Sequence, residues 1–474
     1  MIMKLENNPE RNYGAFISQQ RRQIEVWGEE NQIKLLNSRV LILGAETLGQ
    51  MVLGCCCGLG IGDILMLDNT RSSQSNFDFM SPSLNRFENA KVMETLESKA
   101  RQINDNINIR VLHSKFSRSI LNYLEFKPDA ILDAQNNPQH KEEALGFALD
   151  TGTKYISAYN SPTKAIISRL NPKTEPLSII DHDGIIYEEP FQGSITSGLC
   201  AGIMVDELRK SIFQMDESDL PLEERVEYNL KSANRTNLTL DLSLDIHRKN
   251  NTRVLVAGAG AIGNYVALNL ALSGFKKIDI IDFDKVVYHN LARQILLHSR
   301  IGENKAKVLS DRIGEINRIK SVVYERKLDA SFKDVIRRNK YDVIFGCFDN
   351  EMARYDLSEI ALALKIPYID GGTSPTTGTL SVYYPNKTAC IKCKKSLKPI
   401  EVKESCQDAP NPSVIIPNII IGSLMVGEAE HILNQKYIRG RIIFDSGYKK
   451  RIYLASDGTS NSACSCGVKN EIWN

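Results

Sequence analysis

Residues 253–307 read RVLVAGAGAIGNYVALNLALSGFKKIDIIDFDKVVYHNLARQILLHSRIGENKAK, and this stretch decides the fold. Its apolar opening, Val254-Leu255-Val256, predicts a strand buried on both faces. Gly258-Ala259-Gly260-Ala261-Ile262-Gly263 follows at once. Glycine there permits a tight turn and lets the backbone approach a phosphate. The helix that begins next presents free N–H groups to it. Tyr265 to Ser273 continues that helix, and Gly274 ends it. A second strand, Ile278 to Ile281, leads into Asp282, 19 positions past Gly263. That is the reach of a carboxylate holding a ribose hydroxyl.

The residues after the second strand are too polar and cationic for a plain dinucleotide site. Asp284, Asn290, Arg293, Gln294 and Lys305 crowd together there. A triphosphate needs such density, because cations must offset phosphate charge. D-x-D at 282–284, N-L-x-R-Q at 290–294 and G-x-x-K-A at 302–306 occur in order. The set resembles the adenylation domain of the ubiquitin-activating (E1) enzymes and their bacterial sulfur-carrier relatives. The resemblance implies an α/β fold: two Rossmann-like, ThiF-type modules with mostly parallel sheets, arranged as a pseudo-dimer, with a zinc-bound C-terminal region.

Composition allows this. The chain has 474 residues, 42% hydrophobic and 24% charged, enough for two or three cores. A net charge of +2 points to neither nucleic acid nor a membrane surface as partner. The N-terminus, MIMKLENNPERNYG, has no apolar signal core. Val414 to Gly427 is the longest apolar run, and Pro417 and Asn418 are expected to interrupt it short of a bilayer span. Ten cysteines without a secretion signal predict reduced thiols, metal ligands or catalysis, and a cytoplasmic protein.

Arg39 to Asp68, RVLILGAETLGQMVLGCCCGLGIGDILMLD, repeats the organising stretch. Gly44 and Gly258, Gly49 and Gly263, Asp68 and Asp282, Asn76 and Asn290, and Lys91 and Lys305 are each 214 positions apart. The first copy is worn. Glu46 stands where Gly260 stands, Phe79 where Arg293 stands, and Gln135 or Asn136 where Asp349 stands. Each change removes complementarity to a magnesium nucleotide. The expected domains are a degenerate module at 1–213, a polar linker at 214–237 and an active module at 238–474.

Gln20 to Gly28 is similar to the R-Q-I-x-x-x-G opening of E1-type modules. That resemblance implies that Arg22 reaches across to the nucleotide phosphates of the other module; the alternative is a solvated arginine on an amphipathic helix. Asp349 follows the apolar run Tyr341 to Cys347, at the carboxyl end of a strand. By resemblance it is the magnesium ligand, and it also reads as a helix N-cap.

Cys390-Ile391-Lys392-Cys393 is half of a tetrahedral thiolate site, and Cys464-Ser465-Cys466 offers the other half. Zinc takes four soft ligands; the unusual second spacing leaves open whether Cys464 or Cys466 ligates. Cys406 lies between the pairs. In the family a cysteine in this crossover segment accepts the carrier as a thioester, and a loop thiolate beside an acyl-adenylate can attack it. The alternative is a loop cysteine without a role.

Taken together, the resemblance implies an E1-like enzyme using ATP and Mg²⁺, with Zn²⁺ as a structural ion. Its substrate would be a ubiquitin-like protein with a C-terminal glycine, and an E2-like conjugating enzyme would be a candidate acceptor. Two other readings stand beside it: a sulfur-carrier adenylyltransferase without thioester transfer, and a non-catalytic scaffold that binds ubiquitin-like proteins.

Overall fold

The apolar runs at Arg39–Leu43 and Arg253–Ala257 form the central strands of two separate sheets. The computed structural model describes residues 12–69, 89–172, 192–213, 221–222, 225–230, 246–317, 319–391, 393, 412–436, 440–455, 464 and 466. In the first half, α1 (Tyr13–Leu36) precedes β1 (Arg39–Leu43), α2 (Thr47–Leu59), β2 (Asp63–Asp68), α3 (Asn89–Ile103) and β3 (Asn108–His113). Then come α4 (Arg118–Tyr123), β4 (Ala130–Asp133), α5 (Pro138–Thr151), β5 (Lys154–Asn160), β6 (Lys164–Leu170), α6 (Ser194–Phe213) and β7 (Val226–Asn229).

The second half begins with α7 (Ile246–Asn251), β8 (Arg253–Ala257), α8 (Ala261–Leu272), β9 (Lys277–Ile281), α9 (Lys305–Asn317) and β10 (Val323–Tyr324). It continues with α10 (Phe332–Asn339), β11 (Val343–Gly346), α11 (Glu351–Leu364), β12 (Tyr368–Thr373) and β13 (Thr377–Tyr383). It closes with α12 (Ile415–Leu433), β14 (Arg441–Asp445) and β15 (Ile452–Ala455).

The sheets repeat one plan. Their orders are β3-β2-β1-β4-β5-β6-β7 and β10-β9-β8-β11-β12-β13-β14-β15. The first five strands of each are parallel, and the rest antiparallel. The order reverses between β8 and β11, which pair Val254 with Val343 and Ala257 with Gly346. A crevice at the carboxyl ends of such strands is where open α/β sheets take ligands.

Between the sheets, α2 and α6 of the first half pack on α8 and α12 of the second. A Cβ on Gly198 of α6 would lie 2.0 Å from Ser423 Oγ of α12, so glycine sets how closely these helices meet. Asn269 Nδ2 donates to the same Ser423 Oγ at 3.1 Å. At the far end of α6, Ser446 Oγ donates to Asp206 at 2.6 Å and Arg451 Nη2 donates to Glu207 at 2.8 Å. One hydrophobic core runs through both halves, from Phe16 to Ile452.

Two elements differ from the sequence reading. Val414–Gly427 is not interrupted: α12 is one helix of 19 residues. Pro417 sits in its first turn, where no helical N–H is required. The helix is long and apolar enough to cross a membrane by length and composition, and it is wholly buried in the protein. Within the span expected as a linker, Val226–Asn229 forms β7 against β6. Val226 and Tyr228 point inward while Glu227 is half-exposed, an alternation that the surrounding charge hides.

Candidate active site

The second-half loop between β8 and α8 is built by two glycines and opened by a third. Gly258 has φ +104, and a Cβ there would lie 2.8 Å from Cys347 O. A Cβ on Gly263 would lie 1.9 Å from Gly258 O. Neither position admits a side chain. Gly260 is different. Its φ of −75 suits any residue, and a Cβ there would meet no described atom within 4 Å. Among the described residues nothing requires glycine at 260, and none occupies the space above it.

The first half makes the same loop and fills it. Gly44 and Gly49 repeat the tight pair: a Cβ on Gly49 would lie 1.9 Å from Gly44 O. Ala45 N donates to Asp68 as Ala259 N donates to Asp282. Glu46, with φ −72, occupies the counterpart of Gly260. Gln192 then enters: its Oε1 accepts from Leu48 N at 2.7 Å, and its Nε2 donates to Ala134 O at 3.1 Å. Leu48 N is an orphan donor of the helix N-terminus, the group that would meet a phosphate. Among the described residues, nothing accepts from its counterpart, Ile262 N.

Around the open loop the side chains are mostly fixed. Asp282 accepts from Ala259 N at 2.7 Å and Asp284 N at 2.8 Å. Burial raises its pKa, and Lys305 opposes that rise. Lys305 Nζ donates to Asp284 Oδ2 at 2.9 Å. Asn290 is buried, and its Oδ1 accepts from Val287 N at 3.0 Å, closing the turn that presents His289. Gln294 is buried with Oε1 unpartnered among the described residues. Asn264, which sequence reasoning missed, braces the loop by donating to Ala259 O and Gly260 O and accepting from Leu296 N.

Arg22 comes from the first half. Its helix α1 packs against the Tyr288–Asn290 turn of the second half. Arg293 is buried, with Nη1 donating to His289 O at 3.0 Å. Burial and the neighbouring Arg22 bring the Arg293 guanidinium down to about 10, against the pull of Asp349 and Glu25. Burial, then Arg293, Arg22, Lys305 and Arg21, push His289 down to about 4. His289 was also missed; an isolated histidine carries no motif, and its neighbours come from three elements. The cluster is rich in positive charge, as a polyanion site would be. Asp349 is exposed beside it. Asn350, not Asp349, caps α11: its Oδ1 accepts from Met352 N and Ala353 N. Among the described residues the Asp349 carboxylate accepts no hydrogen bond, and a hard oxygen ligand of this kind suits a magnesium ion.

The cysteines converge. Cys390, Cys393, Cys464 and Cys466 place all four sulfur atoms within 4.8 Å of one another. Cys390 and Cys464 lie 3.6 Å apart, and Cys393 and Cys466 lie 3.9 Å apart. Tetrahedral zinc with bonds of about 2.3 Å needs sulfurs about 3.8 Å apart. The donor set fits zinc, with both Cys464 and Cys466 in it. Cys406, Asn76 and Phe79, and the side chain of Lys91, lie outside what is described.

The ThiF family profile matches residues 18–243 and again residues 244–466. The chain belongs to the ThiF family. Relatives of this ThiF-family protein include SUMO-activating enzyme subunit 2 of Dictyostelium discoideum, 32% identical over 37% of this chain and 27% of that protein. Adenylyltransferase and sulfurtransferase MOCS3-1 of Zea mays is 31% identical over 48% of this chain and 49% of its own. The NEDD8-activating enzyme E1 catalytic subunit of Caenorhabditis elegans is 34% identical over 32% and 38%. The match thus spans about half or less of these relatives' lengths.

Proposed function

We propose that this protein is an E1-like activating enzyme that uses MgATP to adenylate the C-terminal glycine of a ubiquitin-like protein. One observation carries the reading. The first half brings Arg22 to the cationic cluster beside the open Gly260 loop, while Gln192 closes its own counterpart loop.

In the first step a carboxylate oxygen of the carrier attacks the α-phosphorus of ATP, pyrophosphate leaves, and an acyl-adenylate forms. The chain supplies position and charge balance. Gly258, Gly260 and Gly263 make room, and Ile262 N points a free donor at a phosphate. Asp282 holds the ribose. Arg293, Lys305, Gln294, Asn290 and Arg22 line the triphosphate, with Asp284 steadying the Lys305 ammonium. Asp349 would hold Mg²⁺, which supplies further positive charge to the phosphate oxygens. In the second step the Cys406 thiolate attacks the acyl carbonyl, a C–S bond forms, and AMP leaves. The MOCS3 likeness favours a second reading: the same adenylate passed to a sulfur donor, without the thioester.

Pyrophosphate exchange into ATP is the test, with a panel of small proteins ending in Gly-Gly. Exchange is expected with one of them and not with that protein lacking its last glycine. Exchange that ignores the missing glycine would sink the reading. A thiol-sensitive adduct that disappears in Cys406→Ala supports the thioester; adenylation without any such adduct supports the sulfur-carrier reading. The cysteine cluster gives a separate prediction. Purified protein should carry about one zinc ion per chain by metal analysis, and Cys390→Ser should lose it. Full zinc retained in Cys390→Ser would rule out the tetrathiolate assignment.

A further inference from the structure

Amide side chains hold the arm that carries Arg22. Gln19, Gln23 and Gln32 lie on α1 and are closed off from solvent. Gln23 Nε2 donates to Leu59 O at 3.0 Å and to Gly58 O at 3.3 Å. Gln32 Nε2 donates to Leu59 O at 2.8 Å, and Gln19 Nε2 donates to Ile103 O at 2.7 Å. These carbonyls are the last of α2 and α3, beyond the reach of any further helical N–H. Trp27 Nε1 donates to Gln32 Oε1 at 3.1 Å. α1 bends at Gly28, which has φ 79 and ψ 161, so the amides grip the arm on both sides of the bend.

Burying these amides is unfavourable in itself. The Oε1 atoms of Gln19 and Gln23 are buried without a partner among the described residues. Leucine would pack there without that penalty, but it could not bind the carbonyls at the helix ends.

The internal repeat is a control for whether the module's fold needs them. Asn104 Nδ2 donates to Cys57 O at 3.0 Å in the first half, and Asn317 Nδ2 donates to Ala271 O at 2.8 Å in the second. That bond belongs to the shared fold. Gly60 and Gly274 end α2 and α8 alike, with φ +83 and +94. A Cβ on Gly60 would strike Phe16 at 2.9 Å and Gln32 at 3.0 Å, both on the arm; a Cβ on Gly274 would meet no described atom within 4 Å. Among the described residues, the second half makes the same helix end with no such arm or glutamines packed on it. What the glutamines add is the placement of α1.

We propose that Gln19, Gln23 and Gln32 are positioning residues. They register α1 on the ends of α2 and α3, so that Arg22, on the neighbouring face, meets the outer phosphates of a nucleotide held by the second half. This rests on the nucleotide site given under Proposed function. Gln23 and Arg22 are adjacent, and a helix turns its side chains by about 100° per residue, so fixing one aims the other. A misplacement near 1 Å can reduce a contact's effect by about 10²-fold.

Binding of Mg–AMP-PNP and of AMP to the full chain, by calorimetry, tests this. AMP lacks the outer phosphates and so reports only on the rest of the site. Gln23→Leu is expected to weaken Mg–AMP-PNP by about tenfold and AMP by less than about twofold. Gln32→Leu should do the same, which covers the case that Gln23→Leu folds poorly. Added to Arg22→Ala, Gln23→Leu should change nothing further. Equal weakening of both ligands, or an undiminished effect in the Arg22→Ala background, would overturn the positioning role and leave the nucleotide site standing. Failure of the unaltered protein to bind Mg–AMP-PNP would instead bring down the functional reading, and this role with it.

Discussion

Gly260→Ala is expected to fold normally and to lose nucleotide, whereas Gly263→Ala is expected not to fold. The two glycines lie three residues apart in one loop, so the contrast is a demanding test. At 260 the backbone is compatible with alanine and the added methyl meets no described atom within 4 Å. Thermal stability should move by no more than about 0.5 kcal/mol. The methyl would stand where a phosphate must come, and affinity for Mg–AMP-PNP should fall about 10²-fold. At 263 the methyl would lie 1.9 Å from Gly258 O, a backbone atom that cannot swing aside. A loss above about 4 kcal/mol follows, enough to unfold a marginal domain. Calorimetric melting and ligand titration read both effects. An alanine at 260 that binds Mg–AMP-PNP as the natural protein does would leave the loop without a nucleotide role.

The second large effect is expected at Arg293. Its guanidinium is buried, lies near a second arginine from the other half, and is drawn by Asp349. Such a group is short of negative charge until a polyanion arrives. Arg293→Ala should therefore slow adenylation by about 10²–10³-fold, the range for removing one preorganised cation or donor from a charge-stabilising site. Single-turnover formation of the acyl-adenylate measures it. A decrease of less than about fivefold would take Arg293 out of the phosphate-handling set.

Much of this was legible in one dimension, because the informative contacts are local. The strand, the glycine turn and Asp282 fall within 30 residues, and each has a backbone reason to sit where it does. The worn copy could be found by its constant offset. Other features could not be read. Gln192 reaches Leu48 across 144 positions, and no local pattern marks a glutamine as a stopper. Asn290 reads as a ligand in its motif, yet its amide oxygen closes a turn. The strand Val226–Asn229 lies in charged surroundings that mask its alternation. The four cysteines are the long-range exception: two close pairs read as one site, and their sulfurs lie within 4.8 Å of one another.

The hydrophobic core that passes without a break from one half to the other has a kinetic meaning. Enzymes that borrow an arginine from a second subunit depend on dilution: at low concentration the subunits part and the site is incomplete. On the function proposed above, the half that lends Arg22 and the half that uses it share one chain and one core, so the effective molarity of the guanidinium is set by geometry alone. Turnover per molecule should stay flat as the protein is diluted.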